Sequence, residues 1–255
     1  MSIMQIVPLS AFRDNYIWAL VSNGQCVVVD PGEAAPVSAF LAQQYLNLAA
    51  ILITHRHNDH VGGVAELRES WPVPVFGPSS VAVVTHAVGE GDTVDLPGVG
   101  GATAVIEVPG HTEEHIAFLY GQHLFCGDTL FAGGCGRLLG SSTAAQLHAS
   151  LQRIATLPDN TLVYCAHEYT MSNLRFARAV EPDNPALLAR VDTCSALREA
   201  GLPTVPSRLG DERATNPFLR VSRPEVRKAV ERHVARPLPE PAAVFAELRA
   251  WKDIF

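Results

Sequence analysis

Apolar positions along the chain fall into two textures. Up to about Tyr164 they come in short runs, each stopped by Gly, Pro or Asp: Ile17–Val21, Cys26–Val29, Ile51–Ile53, Val73–Phe76, Thr103–Val108, Ile116–Tyr120, Leu124–Cys126 and Leu162–Tyr164. Runs of this length bounded by turn residues predict strands. The unbroken VVV before Asp30 and AAILI before Thr54 predict strands covered on both faces. Helical spacing separates them at Val37–Tyr45, Val64–Glu69 and Ala144–Ile154, with Thr143 placed to cap the last. Beyond Tyr164 helical spacing takes over: Met171–Val180, Pro185–Ala200, Pro224–Val234 and Ala242–Lys252, divided by Pro-rich joints. Pro185 and Pro224 suit first-turn positions. The expected organisation is a strand-rich portion of roughly 165–175 residues followed by a smaller helical one. We place the division at residues 1–168 and 169–255.

Of the 255 residues, 47% are hydrophobic and 18% charged, enough apolar material for a real core. No apolar run approaches the roughly 18–20 residues of a membrane span. The opening MSIMQIVPLSAFRDNY lacks the basic stretch and apolar stretch of a secretory signal. Five cysteines, Cys26, Cys126, Cys135, Cys165 and Cys194, are scattered without a CxxC. Such usage fits a reducing cytoplasm better than a disulfide framework. Net charge is −7 and the pI about 5.8, without the basic stripe of a nucleic-acid binder. A small-molecule protein is expected, with no nucleic-acid or membrane partner, acting as a monomer.

The densest chemistry is Thr54-His55-Arg56-His57-Asn58-Asp59-His60, which directly follows the apolar run Ala49–Ile53. Loops beyond strand ends are where α/β folds build sites, and Gly62-Gly63 is expected to turn the chain into the next helix. Imidazole nitrogen and carboxylate oxygen are natural ligands of zinc and similar divalent ions. A chance polar loop explains one histidine better than three with an aspartate. The same design recurs: His111 after Thr103–Val108, Asp128 after Leu124–Cys126, and His167 after Leu162–Tyr164. Any one of these alone reads as a cap or turn residue, but several strand ends of one form predict a convergent site. A catalytic zinc needs about three protein ligands plus water, so this larger set suits two ions. We assign His55, His57 and His111 to one, Asp59, His60 and His167 to the other, and Asp128 as the bridge.

THRHNDH with the later GH, GDT and AH elements resembles the metallo-β-lactamase superfamily signature. Cys126-Gly127-Asp128-Thr129-Leu130-Phe131, Gly134-Cys135-Gly136-Arg137, His167-Glu168-Tyr169-Thr170, Thr215-Asn216-Pro217-Phe218-Leu219-Arg220 and Arg249-Ala250-Trp251-Lys252 resemble one branch, the hydroxyacylglutathione hydrolases (glyoxalase II). The resemblance spans essentially the whole chain. It implies an α+β fold, an αββα sandwich with a smaller C-terminal α-helical domain. It further implies two divalent ions, zinc foremost with iron or manganese as alternatives, and Asp59 and Asp128 in catalytic positions. The implied reaction is hydrolysis of S-D-lactoylglutathione, and other S-2-hydroxyacylglutathiones, to D-lactate and glutathione, the second step of methylglyoxal detoxification, by a metal-bridging hydroxide. Arg137, Tyr169, Arg249 and Lys252 match the family's glutathione-contacting positions. Leu139 stands where some members have an aromatic residue, and Glu113-Glu114 before His115 is an uncommon loop. Such a centre is chemically sufficient for thioesters, because a thiol of pKa near 8.5 leaves as thiolate without a general acid. Without the resemblance, Arg249 and Lys252 read as solvated helix charge and Tyr169 as a core aromatic. His86, His115, His123, His148 and His233 read as structural or surface residues, with His115 the one placed to support a ligand. The alternative reading is another glutathione-linked superfamily enzyme, a mononuclear-iron persulfide dioxygenase. A nuclease with the same centre is opposed by the acidic pI, and a non-catalytic relative by the completeness of the ligand set.

Overall fold

A computed structural model describes residues 4–255; the first three residues of the stretch read for a secretory signal lie outside that range. The chain divides into two compact units that interleave along the sequence. One runs through Glu107 and includes Glu114–Gly127; the other comprises Val108–Glu113 and Asp128–Phe255. The expected division at 168/169 follows chain order, whereas these units follow contacts.

The first unit contains β1 (Gln5–Ala11), β2 (Asn15–Ser22), β3 (Gln25–Val29), α1 (Ala34–Gln44), β4 (Asn47–Leu52), α2 (Asn58–Val61), α3 (Val64–Ser70), β5 (Val75–Gly77), β6 (His86–Ala87), β7 (Thr93–Asp95), β8 (Ala102–Glu107), β9 (Ile116–Tyr120) and β10 (His123–Gly127). Strands β1 to β6 form a mixed sheet in sequence order. The β1–β2 and β2–β3 pairs are antiparallel, and the β3–β4, β4–β5 and β5–β6 pairs parallel. The unbroken apolar runs of β3 and β4 are buried, as continuous runs require. Helices α1 and α3 set Val37, Leu41, Val64 and Leu67 against Val28, Ile51 and Ile53. Each such fully buried side chain contributes roughly 1.5–3 kcal/mol. A second antiparallel run orders β7, β8, β9 and β10.

Parallel neighbours end on the same side of a sheet. With Val29 opposite Leu52, β3 and β4 therefore deliver Asp30 and the Thr54–His60 loop to one edge. Gly63 serves that edge differently from the turn expected of it. Its backbone is ordinary right-handed helix, but a Cβ there would lie 2.5 Å from the backbone of Glu33 and Ala34. Close approach of two backbones, not a special dihedral, requires the glycine.

The second unit contains β11 (Leu130–Phe131), β12 (Gly134–Cys135), α4 (Ala144–Ile154), β13 (Leu162–Cys165), α5 (Thr170–Val180), α6 (Pro185–Glu199), β14 (Ser207–Arg208), α7 (Leu209–Thr215), a 3-10 turn (Pro217–Leu219), α8 (Pro224–Val234) and α9 (Pro241–Ile254). Thr143 caps α4 in a reciprocal capping box with Gln146. Pro185, Pro224 and Pro241 open their helices, where a missing N–H costs nothing. Helix α9 packs on α4 and α8, and Phe176, Phe218 and Phe245 meet between the helices. No helix among the described residues is long and apolar enough to cross a membrane. All five cysteines are buried, and none forms a disulfide.

Candidate metal ligands and substrate cavity

In the first unit, Asp30 organises the histidines. It is buried and sits at φ +54° immediately after β3. Its Oδ1 accepts the Thr54 N–H at 2.8 Å, and its Oδ2 accepts the Thr54 hydroxyl at 2.7 Å and His60 Nδ1 at 3.0 Å. These charge-assisted bonds let a carboxylate remain buried. The Thr54 hydroxyl has one proton and gives it to Asp30, so at its 3.0 Å contact with His55 Nδ1 it accepts. Both His55 and His60 are thus fixed with Nδ1 protonated and the Nε2 lone pair directed away. His55 Nε2 meets His57 Nδ1 at 2.9 Å, and His60 Nε2 lies 3.6 Å from Asp59 Oδ2. Asn15 donates to Asp59 Oδ2 at 3.1 Å. His115 is buried and stacks on His55 with ring centroids 4.5 Å apart. Glu114 accepts the Arg56 N–H at 3.1 Å and pairs with the Arg56 guanidinium, which explains one of the two uncommon glutamates.

In the second unit, Asp128 lies between two imidazoles. Its Oδ2 is 3.4 Å from His111 Nε2 and its Oδ1 3.4 Å from His167 Nε2. His111 donates from Nδ1 to the Arg137 carbonyl at 2.9 Å, which turns its Nε2 toward Asp128. The His167 ring stacks on Tyr169 at 4.6 Å. Glu113, the other uncommon glutamate, accepts from the Ser141 hydroxyl.

The donor set fits divalent cations. Two ligands on one tetrahedral ion, each about 2.1 Å from it, stand about 3.4 Å apart. Both Asp128–imidazole separations have that value, longer than a good hydrogen bond. One carboxylate offering each oxygen to a different imidazole is the arrangement a bridging ligand needs. Asp30 is close to His55 and His60, and with its oxygens accepting three hydrogen bonds it orients these two imidazoles. Our sequence reading passed over it, although VVVD is the same strand-then-carboxylate pattern that singled out Asp128.

Next to Asp128 the second unit opens a cavity of about 420 Å³, whose lining includes His111, Asp128, Arg137, Tyr169, Arg249 and Lys252. Phe131 and Leu139 give it apolar wall. Tyr169 is 37% exposed and Leu139 40%, so neither is a core residue. Arg249, by contrast, is buried at 3%. Its Nη1 donates to the carbonyls of Cys135 and Gly136 at 3.0 and 3.4 Å, and its Nη2 to Asp253 at 3.1 Å. Lys252 Nζ lies 3.5 Å from the Ser172 carbonyl and over the Phe176 ring. Burial, then the neighbouring Arg249, Arg175 and Arg137, lowers its pKa below the ordinary lysine value, with Asp253 opposing. Cys135 also lines the cavity, but burial pushes its thiol up to about 11 despite Arg249. It is therefore a thiol near neutral pH and no ready nucleophile.

Residues 168–255 match the family described as "Hydroxyacylglutathione hydrolase C-terminus", and residues 11–167 match the "Metallo-beta-lactamase superfamily". A hydroxyacylglutathione hydrolase of Alkalilimnicola ehrlichii is 54% identical over 253 residues, covering 98% of each chain. Among solved structures, ETHE1 from Myxococcus xanthus is similar with a TM-score of 0.66 at 25% identity, covering 99% of each chain. A protein crystallised in a di-iron-bound form is similar with a TM-score of 0.54 at 30% identity, covering 64% of this chain and 91% of that one.

Proposed function

Because the chain belongs to the hydroxyacylglutathione hydrolase family of the metallo-β-lactamase superfamily and has that superfamily's fold, we propose that it hydrolyses S-D-lactoylglutathione and related S-2-hydroxyacylglutathiones to the 2-hydroxy acid and glutathione. The observation that carries the mechanistic part is Asp128, with each carboxylate oxygen 3.4 Å from a different imidazole. His55, His57 and His111 would hold one divalent cation and Asp59, His60 and His167 a second, with Asp128 as the shared ligand. Zinc suits this donor set best, and iron or manganese fit it as well. When bound, the cations supply a hydroxide nucleophile at neutral pH and positive charge for the developing oxyanion.

The chain's own residues do the rest. Asp30 and Thr54 hold His55 and His60 in the tautomer that presents Nε2. Arg137, Arg249 and Lys252 make one end of the cavity cationic, which suits the carboxylates of a glutathionyl group. Tyr169, stacked on His167, adds an aromatic face to the cavity lining. No general acid is required, since the thiolate leaves unprotonated. Full-length hydroxyacylglutathione hydrolase relatives and the C-terminal match over 168–255 disfavour the persulfide dioxygenase alternative. Five scattered cysteines without a disulfide support a cytoplasmic setting.

The test is thioester hydrolysis by purified protein, paired with metal analysis. Wild type should turn over S-D-lactoylglutathione with about two cations per chain, lose activity on chelation, and regain it on adding zinc. Asp128→Ala should lose at least one cation and most turnover. Metal-replete protein inert toward glutathione thioesters would remove the substrate assignment; Asp128→Ala with full metal and turnover would remove the bridge.

A further inference from the structure

Two arginines that line the cavity already share an anion. Asp253 Oδ1 accepts from Arg249 Nη2 at 3.1 Å and stands 3.7 Å from Arg137 Nε. Arg249 and Asp253 lie one helical turn apart on α9. Arg249 Nη1 is spent on neutral carbonyls, so Asp253 is the charged partner of a guanidinium that is buried and permanently cationic. Two arginines share one carboxylate oxygen, while the Asp253 side chain is 41% exposed. An incoming carboxylate therefore meets donors that are partly occupied, and a like charge beside them.

We infer that Asp253 sets the affinity of the cavity: it is the resting counterion of Arg137 and Arg249, which a substrate carboxylate has to displace or share. This rests on the reading that the cavity takes a glutathionyl group. Asp253 keeps the grip on glutathione thioesters looser than three cations alone would make it. The released glutathione carries the same carboxylates, so the same restraint speeds its departure. Binding energy common to substrate, transition state and product does not raise turnover, so the restraint costs catalysis little.

Asp253→Asn tests this without removing bulk, because the amide oxygen can still accept from Arg249. With the metal-loaded full chain, the dissociation constant of S-methylglutathione, a thioether that is not hydrolysed, is measured by calorimetry at low and raised salt. KM and kcat are measured with S-D-lactoylglutathione. Relative to wild type, Asn should lower both the dissociation constant and KM roughly three- to tenfold, steepen their salt dependence, and change kcat less than KM. Asp253→Glu, which keeps the charge, should stay near wild type. Unchanged or weaker binding in Asp253→Asn overturns the inference, as does equal tightening in Asp253→Glu. If wild type neither binds S-methylglutathione nor hydrolyses the thioester, the cavity reading falls and this inference with it. If wild type does both and Asp253→Asn binds no tighter, only the inference falls.

Discussion

Removing the Glu212 carboxylate should be among the most damaging single changes outside the candidate metal ligands. Glu212 is fully buried. Its Oε1 pairs with Arg190, and its Oε2 accepts the Gly133 N–H at 2.9 Å and Asn216 Nδ2 at 3.1 Å. Burial alone would lower the Arg190 pKa, but Glu212 outweighs it and holds the guanidinium above its ordinary value. Glu212→Ala leaves that cation without its counter-charge, a loss of about 3–5 kcal/mol. It also strands the Gly133 N–H, a further ~1 kcal/mol or more. Asn216 Nδ2 keeps the Gly134 and Phe131 carbonyls, so it adds little. A total of about 4–6 kcal/mol is a large part of the 5–15 kcal/mol that holds a typical domain together. Equilibrium urea unfolding at fixed metal excess, followed by far-UV circular dichroism, measures it. The double variant Arg190→Leu with Glu212→Leu removes both charges and should be less destabilised than Glu212→Ala. A loss under about 1 kcal/mol in Glu212→Ala, or a double variant as unstable as the two single losses added, would refute the buried-pair argument.

Other expectations follow from single contacts. Asp30→Asn tolerates the positive φ but loses the carboxylate that orients His55 and His60; metal affinity should fall roughly 10- to 100-fold in a chelator competition. Gly127→Ala would place a Cβ 2.4 Å from Thr54 Oγ1 and 2.9 Å from His115 Cε1, at φ +47°, and should cost about 2–4 kcal/mol in the same urea assay. The lowered Lys252 pKa means that the ammonium is present at neutral pH and is lost at lower pH than an ordinary lysine. Affinity for S-methylglutathione should therefore weaken as pH rises, with a midpoint below about 10.4. Lys252→Arg should flatten that dependence, since arginine stays charged.

Much of this was legible along the chain because local signals agreed with tertiary ones. VVV and AAILI became the buried strands β3 and β4, Thr143 capped α4, and Pro185 and Pro224 opened their helices. Short edge elements escaped. Neither the two residues of β6 nor those of β14 present enough positions to show a period. β1, QIVPLSA, contains a proline, which lowers its strand signal although it pairs with β2 along its length.

The site divides along a chemical line. Ligand-type residues announced themselves by density and by their place after strands, because a cation constrains which side chains can hold it. The residues that support them did not, because their meaning depends on a partner distant in sequence. Asp30 becomes an orienting acceptor only when β3 and β4 align Val29 with Leu52. Glu212 matters through Gly133, 79 residues away, and no spacing rule connects them. Arg249 shows the limit most clearly. Its place on the last helix near Lys252 reads as solvated charge, and the family resemblance makes it a glutathione contact, yet it is buried and tied to Cys135, 114 residues earlier. A buried guanidinium needs a counter-charge, so its effect on substrate depends on what else faces it. Asp253, four positions on, looks in sequence like an ordinary helical ion pair, whose net worth on a surface is small. On the inference drawn above, the same carboxylate, shared between a buried arginine and Arg137, both of which line the cavity, would set how tightly a substrate carboxylate is held.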